Sequence, residues 1–258
     1  MHNLNPHIFP KITLVGAGPG DPELITLKAI RALEVASVVL YDSLANQELL
    51  QYCSIACEKI YVGKKGHEKG ITQAEINDLI VEKAFEKGNV VRLKGGDPFI
   101  FGRGMEEIEA AAQNGIAYSY IPGISSIMGG GGHMIPLTDR RFSDGFWVIT
   151  GHKSDLSLSE DLYLAAKANT TIVLLMAMSK LTEISRIFAA ENKGNTPAAI
   201  ISHATTTREK ITIGTVGELA EMAQLNNLKN PAIILIGEVV KIPGSLKDIK
   251  NKLQLVQK

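Results

Sequence analysis

The sequence predicts an α/β protein of two domains, the first built on a mostly parallel sheet with helices and the second on a mixed sheet with helices. Three observations carry this expectation. Residues 11–121 alternate short β-rich runs with longer helical patterns, the grammar of βαβ units. Ile121-Pro122-Gly123 then interrupts the pattern where a first domain would be complete, so the chain divides into 1–121, opening with an extension of about ten residues, and 122–258, which ends in a tail. Within 122–258 a pair of strand runs is separated only by the short turn TTTREK, which calls for antiparallel pairing.

The elements follow in order. KITLVG reads as a strand, with a helix near Glu23 to Val35, the strand SVVLYD, a short helix near Ala45 and the strand KIYVG. Thr72-Gln73-Ala74-Glu75 resembles a capping box opening a helix to about Lys87, and Gly88-Asn89 stops it before the strand at Val90. Val90, Val91 and Leu93 read as buried, Gly95-Gly96 break the strand, Asp97-Pro98 fix its exit, and Met105 to Asn114 has helical spacing. The second domain offers strands near 146–150, 171–176, 198–202, 211–215 and 232–237, and helices near 181–190 and 216–223. Ligands of parallel α/β sheets bind at the carboxyl ends of the strands, so the loops at Gly16, Asp42, Gly63 and Gly95 are expected on one rim.

Composition narrows the function. Lys+Arg and Asp+Glu both total 27, so no global charge favours nucleic acid or an anionic membrane, and any anion selectivity must be local. The N-terminus lacks a signal-peptide pattern and no uncharged stretch reaches the roughly 18 residues of a spanning helix, so a soluble, cytoplasmic protein is expected. Cys53 and Cys57 do not form a disulfide framework, and the six histidines form no spaced pair, so no catalytic metal is expected. VGAGPGDPE resembles a dinucleotide loop, with Asp42 at about the ribose-binding spacing. Asp21, however, stands where the third glycine belongs and would repel a pyrophosphate at the helix N-terminus; Asp21, Pro22 and Glu23 suit a helix end capped internally.

Read in order, VGAGPGDP, VGKKG, VRLKGGDPFIFGRG, IPGISS, IPLTDR, the LLM strand and NPAIILIGEVV resemble the uroporphyrinogen-III C-methyltransferases of the tetrapyrrole methylase family, from about Lys11 to Ile242. The resemblance implies a homodimer of two-domain subunits that holds S-adenosylmethionine in the interdomain cleft. It further implies two methyl transfers to uroporphyrinogen III, giving precorrin-2 for siroheme or cobalamin-type tetrapyrroles. A methyltransferase of a later precorrin, or a non-catalytic cofactor-binding relative, stays open at this point. The family pattern sets the cofactor against Pro19, Gly95, Gly96, Asp97, Ile100, Ser125, Ser126, Met176 and Ala204. A sulfonium cation with an adenosine needs acceptors, supplied by turned backbone carbonyls and Asp97, and apolar walls such as Ile100 and Met176. Asp42 and Lys64 match the proton acceptor and donor, and no metal ligand is implied. Arg103, Glu106 and Arg140 fall on the side of the tetrapyrrole substrate, whose carboxylates suit the planar fork of arginine.

The second domain departs from the pattern. Met-Gly, Asn-Gly before Thr, and His-Arg after Pro-Leu-Thr read here Met176-Ala177, His203-Ala204 and Asp139-Arg140. The first two changes are expected to add a methyl group beside the adenosine, and the third to set an anion beside a polyanionic substrate.

Overall fold

The computed structural model describes residues 9–63, 70–153, 155 and 157–247. Contacts divide the chain into two compact units, Met1–Ser126 and Ile127–Lys258, each with its own five-stranded sheet.

In the first unit β1 (Lys11–Gly16), β2 (Val38–Tyr41), β3 (Glu58–Tyr61), β4 (Asn89–Lys94) and β5 (Ala117–Ile121) are all parallel, in the order β3-β2-β4-β1-β5. Helices α1 (Leu27–Glu34), α2 (Gln73–Lys87) and α3 (Gly104–Gln113) cover the faces. Successive side chains of a strand point to opposite faces, and both faces here are dry. Ile12, Leu14, Val38, Leu40 and Val90 pack with Ile76 and Ile80 of α2 and Ile108 of α3, whereas Val15, Val39, Val91 and Leu93 pack with Ala29 and Leu33 of α1. The pairings Gly16 with Lys94, Tyr41 with both Leu93 and Tyr61, and Val15 with Ile121 bring all five carboxyl ends to one edge.

The expected helix at 23–35 is two pieces. Pro22–Leu24 is a 3-10 turn capped by Asp21, whose carboxylate accepts the Glu23 amide at 2.9 Å, and Thr26 then caps α1 separately. The helix expected near Ala45 is a 3-10 run at Gln47–Tyr52, capped by Asn46. The capping box of α2 forms as read: Thr72 Oγ1 accepts the Glu75 amide at 3.2 Å while Glu75 accepts the Thr72 amide at 2.6 Å. Thr72→Ala is expected to destabilise this unit by about 1 kcal/mol, read as a lowered calorimetric melting temperature; an unchanged melt would show that the cap contributes nothing.

In the second unit β6 (Phe146–Thr150), β7 (Thr171–Leu175), β8 (Pro197–Ser202), β9 (Lys210–Thr215) and β10 (Ala232–Ile236) run in the order β6-β7-β10-β8-β9. Only β6 and β7 pair in parallel, so the sheet is mixed. Helices α4 (Asp161–Lys167), α5 (Leu181–Ala190) and α6 (Leu219–Leu225) close one face through Leu162, Ile184, Phe188, Leu219 and Met222. Two turns long, α4 is absent from the sequence expectation because so short a run carries little periodic signal. Among the described residues no helix is long and apolar enough to cross a membrane.

Candidate active site

Four loops meet at the carboxyl rim of the first sheet. Gly18 and Gly96 exchange backbone hydrogen bonds of 3.2 and 2.7 Å, and Asn46 Nδ2 donates to the Gly20 carbonyl at 2.9 Å. Gly16, Gly96 and Gly123 touch backbone to backbone: a Cβ on Gly16 would sit 2.8 Å from the Gly96 oxygen, and one on Gly123 would sit 2.7 Å from the Gly16 Cα. Gly96 also takes φ +64, a region that side chains disfavour. Gly95 lies under Leu44, since a Cβ there would meet the Leu44 oxygen at 2.8 Å. Pro19, Gly95, Gly96, Asp97, Ile100, Ser125 and Ser126 are thus gathered on one rim, with Asp42 at the end of β2. Lys64 and Lys65 lie outside the described residues.

Asp97 differs from expectation. It is buried, its Oδ1 accepts the Phe99 amide at 2.8 Å, and its Oδ2 accepts the Tyr120 hydroxyl at 2.5 Å and the Gly123 amide at 3.0 Å. The carboxylate therefore ties the Gly95 loop to β5 and to Gly123. Burial first, and then the hydrogen bond to Asp97, holds the Tyr120 phenol above its ordinary pKa, so the donor stays protonated. Phe99 stacks on the Tyr120 ring with centroids 4.1 Å apart.

Beneath the rim lies a charge cluster that the apolar reading of VVRLK overlooked. Arg92 and Lys94 sit at i and i+2 on β4, on the face covered by α2 and α3, and are 3% and 6% exposed. Arg92 Nη2 donates to Asp42 Oδ2 at 2.9 Å, and its Nε donates to Glu107 Oε1 at 3.0 Å. Lys94 Nζ reaches the same Glu107 oxygen at 2.9 Å, as does Gln73 Nε2 at 3.2 Å. Glu107 is fully buried, and its Oε2 has no hydrogen-bond partner among the described residues. Asp42 keeps 22% of its side chain exposed at the rim, its Oδ1 accepting the Leu44 amide at 3.0 Å. Burial, reinforced by Arg92, pushes the Lys94 ammonium below its usual pKa, while Glu107 and Asp42 pull it back. The available signal was a cation pair spaced by two in a strand that is otherwise apolar.

The two substrate-side residues of this unit are bonded to each other. Arg103, with φ +56 at the start of α3, donates from Nε and Nη2 to the two Glu106 oxygens at 2.7 and 2.6 Å. Both are exposed. Cys53 and Cys57 lie away from the rim, in the apolar layer beside α1. Burial, then Cys57, pushes the Cys53 thiol up to about 11, so it is not a thiolate nucleophile at neutral pH.

In the second unit Met176 follows β7 and Ala204 follows β8. Leu175 pairs with Ile233 and Ser202 with Ala232, which sets both at one edge of that sheet. Met176 is exposed with φ +56. Ala204 and Ala177 are buried, and a Cβ on Gly129 would meet the Ala204 methyl at 2.7 Å, one on Gly151 the Ala177 methyl at 2.5 Å. Each methyl is thus taken up against a glycine of the same unit. His203 has φ +52, a region His adopts more readily than most residues, and burial lowers its pKa, so it adds no cation at neutral pH. Asp139 accepts Arg141 Nε and Nη2 at 2.8 and 2.7 Å, and these bonds hold its pKa at about 2. The anion expected beside the substrate is therefore matched by Arg141, while Arg140 is exposed and makes no ion pair among the described residues. Its turn is anchored by Ser143 at the start of β7, the edge opposite Met176 and Ala204.

The profile of Tetrapyrrole (Corrin/Porphyrin) Methylases matches residues 11–220. A uroporphyrinogen-III C-methyltransferase of Methanocaldococcus jannaschii is 43% identical over 241 residues, covering 91% of this chain and 98% of that protein. A siroheme synthase of Chromobacterium violaceum is 40% identical over 237 residues, 91% of this chain, which spans only 50% of that longer protein. The crystal structure of a uroporphyrin-III C-methyltransferase of Thermus thermophilus with S-adenosylhomocysteine superposes with a TM-score of 0.78 at 36% identity, covering 90% of this chain and 99% of that one.

Proposed function

Because this chain belongs to the tetrapyrrole (corrin/porphyrin) methylases, we propose that it is an S-adenosylmethionine-dependent C-methyltransferase that converts uroporphyrinogen III to precorrin-2 by two successive methylations, feeding siroheme or cobalamin-type tetrapyrrole synthesis. The observation that carries this reading is the rim of the first unit, where the glycine turn Gly95-Gly96 lies beside a partly exposed carboxylate, Asp42, held by a buried arginine.

The rim fits the cofactor: half-buried Gly95 and Gly96 place no side chain there, and half-buried Pro19 and Ile100 add the apolar surface that an adenosine requires. When bound, S-adenosylmethionine supplies an electrophilic methyl group on a sulfonium centre. Gly95, Gly96, Ser125 and Ser126 would hold it through backbone and hydroxyl groups, with Asp97 fixing their loop. Asp42 accepts a proton from the macrocycle and Lys64 returns one, redistributing protons on a ring whose carbon has gained a methyl. Arg103 and Arg140 receive substrate carboxylates, and Glu106 holds the Arg103 fork in shape until a substrate carboxylate replaces it.

We further propose a cytoplasmic homodimer. Aromatic surface on the edge strand β6 supports it, with Phe146 42% and Trp147 37% exposed; light scattering that returns a monomer at working concentration would refute it.

Incubation with uroporphyrinogen III and methyl-labelled S-adenosylmethionine tests the activity: two labels per macrocycle are expected, and cofactor binding without transfer would overturn it. Arg103→Ala is expected to raise the KM for the tetrapyrrole by about tenfold or more, in line with loss of a charged hydrogen-bonded pair, while the Kd of S-adenosylhomocysteine stays put. Equal losses for both ligands would remove Arg103 from the substrate side.

A further inference from the structure

We propose that Arg92 and Glu107 are positioning residues for Asp42, acting through the buried chain Lys94–Glu107–Arg92–Asp42; this rests on the reading of Asp42 as the proton acceptor. The chain's placement argues for a role at the rim. β4 is the central strand, with dry faces on both sides, and after Asn89 it continues as buried Val90-Val91. Cations replace apolar residues on one face only toward the carboxyl end, next to the ligand loops. Burying ions is costly unless geometry compensates, and apolar residues of similar volume are often as stable or more so. Stability alone is therefore a poor reason for this cluster.

Its hydrogen bonds point the same way. Glu107 crowds three donors onto Oε1 and leaves Oε2 bare, a wasteful arrangement for the carboxylate itself. The arrangement serves to bridge two cations: two carboxylates and two cations then balance, and Arg92 is held by both acids. Arg92 Nη1 also donates to the Leu93 carbonyl at 2.9 Å and contacts the Leu40 carbonyl at 3.4 Å, tying the guanidinium to β2 and β4 together. The guanidinium plane is therefore locked before it reaches Asp42, and it fixes which Asp42 oxygen faces inward. Oδ2 is taken by Arg92, and Oδ1 is left at the rim with the Leu44 amide. A shared arginine holds Asp42 in one rotamer without committing its whole charge to it.

A double-mutant cycle tests this, with kcat for methyl transfer, KM for both ligands and the Kd of S-adenosylhomocysteine measured for wild type, Asp42→Asn, Arg92→Gln and the double variant. Arg92→Gln is expected to lower kcat by about 10- to 100-fold with the Kd within about threefold, and to cost nothing more, within about twofold, once Asp42 is Asn. Glu107→Gln should show the same dependence on Asp42. Arg92→Lys, which keeps the charge but not the fork, should recover some of the rate. If Arg92→Gln does not fold, as judged by its melt, Arg92→Lys takes its place in the cycle. Losses that multiply in the double variant would overturn the positioning role while leaving Asp42 as acceptor. Wild-type kcat in Asp42→Asn would instead overturn the acceptor reading, and this proposal with it.

Discussion

Asp42→Asn is expected to lower kcat for methylation of uroporphyrinogen III by about 10²- to 10⁴-fold, the range that positioned proton transfer supplies, with binding of S-adenosylhomocysteine unchanged. Asn preserves the shape and still offers an oxygen to Arg92 or to the Leu44 amide, so the rim keeps its form while losing its base. Kinetics and calorimetry on one preparation separate the two effects. A weakened Kd matching the rate loss would mean that Asp42 builds the cofactor loop and does not handle protons.

The second large effect is expected from Gly123→Ala. Its methyl would overlap the Gly96 carbonyl and lie 2.7 Å from the Gly16 Cα, and backbone on both sides cannot rotate away. Overpacking of this kind costs about 1 to 3 kcal/mol, and relief requires the Gly95-Gly96 loop to move, so affinity for S-adenosylhomocysteine should fall by about tenfold or more. Gly131→Ala is the control, because a Cβ there meets nothing within 4 Å. Equal affinity in both variants would show that the seam of three glycines does not help to hold the cofactor.

What could be read from the sequence followed the strength of each local signal. The parallel rim was legible because β-rich runs, glycine breaks and the Thr72 capping box are short-range features that agree with one another. The break at Ile25-Thr26 was not: Thr26 can cap a helix or sit inside one, and only the packing of Ala29 and Leu33 decides which. Within the site, glycines and exposed charges were visible as motif letters. Arg92, Lys94 and Glu107 were not, since their meaning depends on partners 13 to 50 residues away in the chain. Asp97 was identified as important, but its acceptors face Tyr120 and Gly123, a direction no linear pattern encodes.

The contacts of Gly151 with Ala177 and of Gly129 with Ala204 make the two glycines unequal in what they tolerate. A Cβ at 151 would overlap the Ala177 Cα and lie 2.8 Å from its nitrogen, so glycine is required there whatever residue stands at 177. A Cβ at 129 would instead meet side chains, the Ala204 methyl at 2.7 Å and the Ile233 Cδ1 at 2.9 Å, and these can be trimmed. Exchanging residue 177 with a relative's therefore does not free position 151, whereas a side chain at 129 becomes admissible only when 204 and 233 change with it.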